Sequence, residues 1–142
     1  MAEQINIFVE NKPGRLQKIT RILSENEINM RGIVIADRES YGIVKILVDN
    51  PRKAHLALSE QGLACAIKKV LAVSLEDRPG GLYQLTEKLS EKGVNIIDAY
   101  GFVIESRSEA VLCMEVKDYE FVKTTVESSG YRVLSDCELY EL

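Results

Sequence analysis

The residues best suited to chemistry form a turn that occurs twice in the chain. Pro13-Gly14 and Pro79-Gly80 each follow an apolar, β-branched run and precede apolar residues at helical spacing. Glycine lets another molecule approach the backbone, and the first-turn amides of a helix have no partner within the helix. With the helix dipole, those amides favour an anion such as a carboxylate. The sequence therefore predicts an anion site at each turn.

Polar side chains flank both turns. Asn11 and Asp77 stand just before them, and Asn29 and Asn95 follow the predicted helices. We expect both positions to lie near the same end of each sheet, where their oxygens could hold a group that carries an amine and a carboxylate. The alternative is structural, with Asn11 or Asp77 capping the helix and the later asparagines tolerating a left-handed turn.

The two turns belong to a duplicated stretch. Residues 5–31 and 71–97 align without a gap, and nine of the 27 positions are identical. A period of about 66 residues is too long for a solenoid unit and predicts two copies of one small domain, 1–69 and 70–142. Halves of about 70 residues have thin cores, so each should pack on the other or on a second chain.

Each half is predicted to be α+β, with the strand and helix order β-α-β-β-α-β. The first strands, 4–9 and 70–75, lead into helices of about 11 residues and then into hairpins. The remaining predicted elements are second helices over 51–61 and 118–128 and closing strands over 64–69 and 131–139. This is the ferredoxin-like arrangement, a four-stranded antiparallel sheet with both helices on one face.

Composition excludes several classes of function. The net charge of −4 offers no electrostatic footprint for nucleic acid. No apolar run approaches a membrane span of about 18 residues and no signal peptide is apparent, so we expect a cytoplasmic protein with no membrane partner. The three cysteines form no C-x-x-C pair and are predicted to be buried free thiols in or beside strands. The single histidine, His55, supports neither a catalytic triad nor a metal cluster, and no cofactor is expected.

The repeated segment resembles the signature of ACT domains, small modules that bind amino acids and regulate metabolic enzymes. The shared pattern is [N/D]-[K/R]-P-G-x-L-x-x-[I/L]-T-x-x-L, closed by [I/V]-N-[M/I], and it covers both halves. The resemblance implies that two units pack side by side into a continuous antiparallel sheet, with an amino acid at the ACT–ACT seam. The implied ligand-binding residues belong to the two turns and the later asparagines. They are Asn11, Pro13, Gly14, Arg15, Leu16, Asn29, Asp77, Arg78, Pro79, Gly80, Gly81, Leu82 and Asn95.

These features favour a non-catalytic, amino-acid-binding regulatory or sensor protein. The alternative is a ligand-free dimerisation or docking module of the same fold, and an enzyme ranks third because no acid, base or nucleophile set stands out. The resemblance also implies a metabolic enzyme as regulated partner. An exposed sheet edge predicts a homodimer, which light scattering at micromolar concentration tests.

The two predicted sites are expected to differ. The first turn carries Asn11 with the cations Lys12 and Arg15, whereas the second carries Asp77 and, in place of Arg15, Gly81. Asp77 should attract an amine and repel a second carboxylate, and Gly81 should leave room for a larger ligand. We therefore expect tighter binding at the second copy, for a neutral or basic amino acid rather than an acidic one.

Overall fold

The predicted β-α-β-β-α-β order is present in both halves of the chain. The computed structural model describes residues 1–10, 12–39 and 41–142, with only the backbone at Arg38. The first half contains β1 (Glu3–Val9), α1 (Arg15–Glu25), β2 (Met30–Arg38), β3 (Tyr41–Val48), α2 (Pro51–Glu60) and β4 (Ala64–Lys69). The second half contains β5 (Leu71–Glu76), α3 (Gly81–Glu91), β6 (Ile96–Glu105), β7 (Glu109–Val116), α4 (Tyr119–Ser128), β8 (Arg132–Val133) and α5 (Asp136–Tyr140).

Each half forms its own four-stranded sheet. The strand orders are β2-β3-β1-β4 and β6-β7-β5-β8. The two sheets fit two ferredoxin-like units, and the expected joining into one continuous sheet stays a prediction. The first two residues of the chain belong to the second unit, because the Val70 N–H donates to the Ala2 carbonyl at 3.0 Å.

Alternation along the strands explains the core of each unit. Ile5 and Ile7 on β1 point to one face and are fully buried, together with Ile19 and Ile22 of α1. The corresponding core of the second unit contains Leu71, Val73, Leu85 and Leu89. In each unit, alternate residues of the first strand pack against residues three to four positions apart on the first helix. The helices α1 and α3 therefore cover the equivalent face of their sheets.

The first helix of each unit begins after a glycine in the left-handed conformation. Gly14 and Gly80 are the N-cap residues, with φ angles of 88° and 84°. The prolines precede these caps and lie outside the helices. A positive φ is the conformation that glycine adopts without steric cost, which explains why glycine stands here in both copies.

The predicted closing strand over 131–139 is wrong beyond its first residues. β8 is limited to Arg132–Val133, and the helix α5 follows. The Ser135 Oγ accepts from the Glu138 N–H at 3.2 Å, and Glu138 Oε2 accepts from the Ser135 N–H at 2.8 Å. This reciprocal pair is a capping box that starts a helix, and its hydrogen bonds lower the pKa of the Glu138 carboxyl.

The cysteine thiols are free, as predicted, but they are not all buried in strands. Cys113 on β7 is buried, and burial raises the pKa of its thiol to about 12. Cys65 on β4 is half-buried, whereas Cys137 is exposed because it lies on α5 rather than on a strand. Among the described residues, no helix is long and apolar enough to cross a membrane.

Candidate functional site

The loop between β5 and α3 leaves two backbone donors unpaired in the second unit. The Arg78 N–H donates to the Glu76 carbonyl at 3.0 Å, and the Gly81 N–H donates to the Arg78 carbonyl at 3.1 Å. The next two amides, of Leu82 and Tyr83, have no hydrogen-bond partner within the described part of the chain. Such first-turn amides are the donors that an anion satisfies at a helix N-terminus.

Asp77 fixes the loop to the β6–β7 turn. Its N–H donates to the Ser108 carbonyl at 3.1 Å, and its Oδ2 accepts from the Arg107 N–H at 2.6 Å. The carboxylate therefore does not cap α3, and the capping alternative is wrong for Asp77. Asn11, the equivalent residue of the first copy, lies outside the described residues. One oxygen of Asp77, Oδ1, has no recorded partner within the described part of the chain.

The arginine beside Asp77 is held by neighbouring acceptors. Arg78 Nε donates to Glu76 Oε2 at 2.6 Å, and its Nη2 donates to Gln84 Oε1 at 2.8 Å. These contacts lay the guanidinium along the first turn of α3. Arg78 is therefore paired with an exposed carboxylate at the edge of the loop.

The loop of the first unit places its predicted residues together on the surface. Pro13, Gly14 and Leu16 are exposed, and Arg15 is half-buried. The amides of Leu16 and Gln17 have no hydrogen-bond partner among the described residues, which matches the second unit.

The cations of the first loop share a single carboxylate. Lys12 Nζ lies 2.6 Å from Glu10 Oε2, and Arg15 Nη2 lies 3.8 Å from the same oxygen. The hydrogen bond from Lys12 lowers the pKa of Glu10. The first loop is thus less cationic than its sequence indicates.

Gly81 lines a cleft of about 450 Å³ beside the second loop, and the expectation that it leaves room for a larger ligand stays a prediction. A Cβ built on Gly81 would lie 2.6 Å from the Glu76 carbonyl oxygen. Real Cβ atoms do not approach a backbone oxygen so closely, so a side chain at this position would require the loop or α3 to shift. This close approach to Glu76 is one physical reason for a glycine at position 81.

The prediction that the loop and the later asparagine share one end of the sheet is wrong. In the first unit, Val9 at the end of β1 pairs with Gly42, whereas Met30 at the start of β2 pairs with Val48. Gly42 and Val48 are six positions apart on β3, a distance of about 20 Å along a strand. Asn29 therefore lies at the opposite end of its sheet from Pro13-Gly14.

Asn95 occupies the same opposite position in the second unit. Ile96 pairs with Val116 at one end of β7, and Glu76 pairs with Glu109 at the other. Asn95 borders a separate cleft of about 240 Å³ between the α3–β6 loop, β6 and the start of α4. Within one unit, the structure thus brings the loop residues together but not the asparagines.

An apolar cleft of about 240 Å³ adjoins the second loop. The predicted residues Asp77, Arg78 and Leu82 border it on one side. The strand segments 101–103 and 110–112 form the opposite walls, together with Leu75. The sequence analysis did not identify these strand residues as part of a site. The repeat contains one signal for them, because Gly101 stands where the first copy has the large residue Ile35. Among the described residues, no group of His, Cys, Asp and Glu side chains could hold a metal ion.

Comparison with known families decides the identity of this fold. Residues 1–140 match the family described as the ACT domain pair. The chain belongs to this family. The ACT domain pair thus accounts for both repeats, and the family resemblance predicted from the repeated signature is confirmed. No match was found among curated protein sequences.

Solved structures share the ACT pair architecture. Protein BT0572 from Bacteroides thetaiotaomicron is 30% identical with a TM-score of 0.93, and the match covers 99% of this chain and 96% of that one. The regulatory subunit of aspartate kinase from Thermus thermophilus, in its ligand-free form, is 18% identical with a TM-score of 0.65. That match covers 90% of this chain and 91% of the subunit, and at this identity it shows the fold alone.

Proposed function

We propose that this ACT domain pair is a non-catalytic, amino-acid-binding regulatory or sensor protein. Family membership and the regulatory subunits that share its fold support a regulatory, ligand-binding role. The observation that carries the proposal is the pair of unpaired amides at Leu82 and Tyr83, which lies beside Asp77 and an apolar cleft. These groups supply separate partners for the carboxylate, the ammonium and the side chain of one amino acid.

The ligand carboxylate accepts from the N–H groups of Leu82 and Tyr83, as an anion does at a helix N-terminus. Its ammonium group lies toward Asp77 Oδ1, since Oδ2 is occupied by the Arg107 N–H. A ligand with a second carboxylate is disfavoured by the charge of Asp77. Neutral and basic amino acids are therefore preferred, and the second copy binds more tightly than the first.

The position of the asparagines supports a seam between ACT units. Within one sheet, Asn29 and Pro13-Gly14 lie at opposite ends, so they cannot contact the same small ligand. A second ACT unit placed antiparallel against the first would bring the Asn end of one unit to the loop end of the other. The proposal is that such a seam, within one chain or between two chains, completes the site.

The alternative function is a ligand-free dimerisation or docking module. Ile33 and Ile35, on the edge strand β2, are about half exposed, and such an apolar edge can pair with another unit. Both the amino-acid sensor and the docking module are compatible with a second copy of this chain, as a homodimer, and with a regulated metabolic enzyme as partners. Ligand binding distinguishes the two functions.

A thermal-shift screen against the twenty amino acids tests the proposal. A ligand at 100 times its Kd adds about 2.7 kcal/mol to the free energy of unfolding, which raises the melting temperature by several degrees. We expect one or a few neutral or basic amino acids to do so. The variant Gly80→Asn, which adds a side chain but tolerates a positive φ, is expected to lose this shift.

The matched control is Gly62→Asn, because Gly62 has a φ of 81° and no neighbouring atom within 4 Å of an added Cβ, as at Gly80. This variant should keep the ligand-induced shift. A screen in which no amino acid stabilises the wild-type protein would support the docking module instead. The same conclusion follows if Gly80→Asn responds like the wild type.

A further inference from the structure

The two edge strands differ in the size of their side chains at equivalent positions. Ile35 on β2 pairs with Val44, and Gly101 on β6 pairs with Leu112. Val44 and Leu112 both belong to the core on the helix-covered face of their sheets. Directly paired residues point to the same face, so Ile35 and Gly101 occupy the same place in the two units.

Gly101 leaves space where the first unit carries a large side chain. Ile35 is 53% exposed. At Gly101 no side chain is present, and the residue lines the 240 Å³ cleft next to Asp77 and Leu82. The first and second loops therefore present the same backbone donors, but they differ in the size of the side chain at the equivalent position of the edge strand.

The walls of this cleft are apolar. Leu75 and Leu112 are buried beneath it, and Leu82 and Val103 are half exposed at its rim. Its volume equals that of about eight water molecules, which suits one side chain of the size of leucine or phenylalanine together with part of its backbone. The charged groups, Glu76, Asp77 and Arg78, stand at the loop side of the cleft.

We infer that this cleft receives the side chain of the bound amino acid and selects a large aliphatic or aromatic one. This inference rests on the proposed function, since it concerns the side chain of the same ligand. Gly101 is the position that sets the specificity, because it carries no side chain where the equivalent residue of the first unit, Ile35, carries a large one. The first unit, with Ile35 in the same place, is closed to such a side chain.

The test is calorimetric titration of the full chain with leucine, phenylalanine, alanine and serine. Burying a large apolar side chain is expected to make leucine or phenylalanine bind about ten- to a hundredfold more tightly than alanine. In Gly101→Val, which restores the branched side chain of the first copy, this preference should disappear while alanine keeps its affinity within about threefold.

Two further variants keep the result interpretable. An added Cβ at Gly101 lies 3.3 Å from the Val111 carbonyl oxygen, so Gly101→Ala, which adds only that atom, serves if the valine variant folds poorly. Gly101→Ala should reduce the preference in part. Ala99→Val places the same valine on the same face of β6 outside the cleft, and it should bind leucine like the wild type.

The outcomes separate this inference from the proposed function. If alanine and serine bind as well as leucine, or if Gly101→Val keeps the preference, the inference is overturned while amino-acid binding stands. If no amino acid binds, both fail. If Gly101→Val changes only the mass measured by light scattering, the cleft is a contact surface between ACT units and the inference is likewise overturned.

Discussion

Replacing Gly81 by alanine is expected to lower the free energy of unfolding of the second unit by about 1–3 kcal/mol. The new Cβ would lie 2.6 Å from the Glu76 carbonyl oxygen, which is part of the backbone and cannot rotate away. The loop or α3 must therefore shift. Urea denaturation followed by circular dichroism measures the loss.

The first repeat supplies the matched control for this variant. Arg15 occupies the position equivalent to Gly81 and already carries a Cβ, so Arg15→Ala should change the unfolding free energy by no more than about 0.5 kcal/mol. Equal unfolding midpoints for Gly81→Ala and the wild type would contradict the tight backbone approach. In that case, room for a ligand would be the remaining reason for a glycine at position 81.

Replacing Leu85 by alanine is expected to cost about 2–5 kcal/mol of stability. Leu85 is fully buried on the inner face of α3, so its truncation leaves a cavity in the core of the second unit. Thermal or urea unfolding checks the loss.

Leu82→Ala, one turn earlier on the same helix, is the control for burial. The Leu82 side chain is 50% exposed, and its truncation should cost less than about 1 kcal/mol. Leu82 borders the apolar cleft, however, so this variant should weaken binding of a large apolar amino acid while remaining folded. Equal stability losses at the two positions would contradict the assignment of the inner and outer faces of α3.

Periodic patterns made most of the fold predictable from the sequence. Strong local signals are the alternation that buries Ile5 and Ile7 and the helical spacing of Ile19, Ile22 and Leu23. The second repeat carries similar apolar patterns, which gave independent support to each prediction. The closing segment was mispredicted because its apolar residues suggested a strand. The Ser135 and Glu138 capping box, three residues apart, is the local signal that decides for a helix.

The candidate site was harder to predict because its geometry depends on topology and close approach. An 11-residue helix is about 16 Å long, so α1 carries the chain back along most of the sheet before Asn29. The asparagine therefore cannot lie beside the turn that precedes the helix. The roles of Gly81 and Gly101 depend on backbone atoms and strands distant in the sequence, which residue types alone do not reveal.

The most direct test of amino-acid binding at the second loop is a heteronuclear NMR titration of the ¹⁵N-labelled protein. The titrant is the amino acid that stabilises the protein most in the thermal screen. We expect saturable shifts that are largest at the amides of Leu82 and Tyr83, with a further response at Gly101. Saturable binding without a change at Leu82 and Tyr83, or the absence of any saturable shift, would contradict the proposed site.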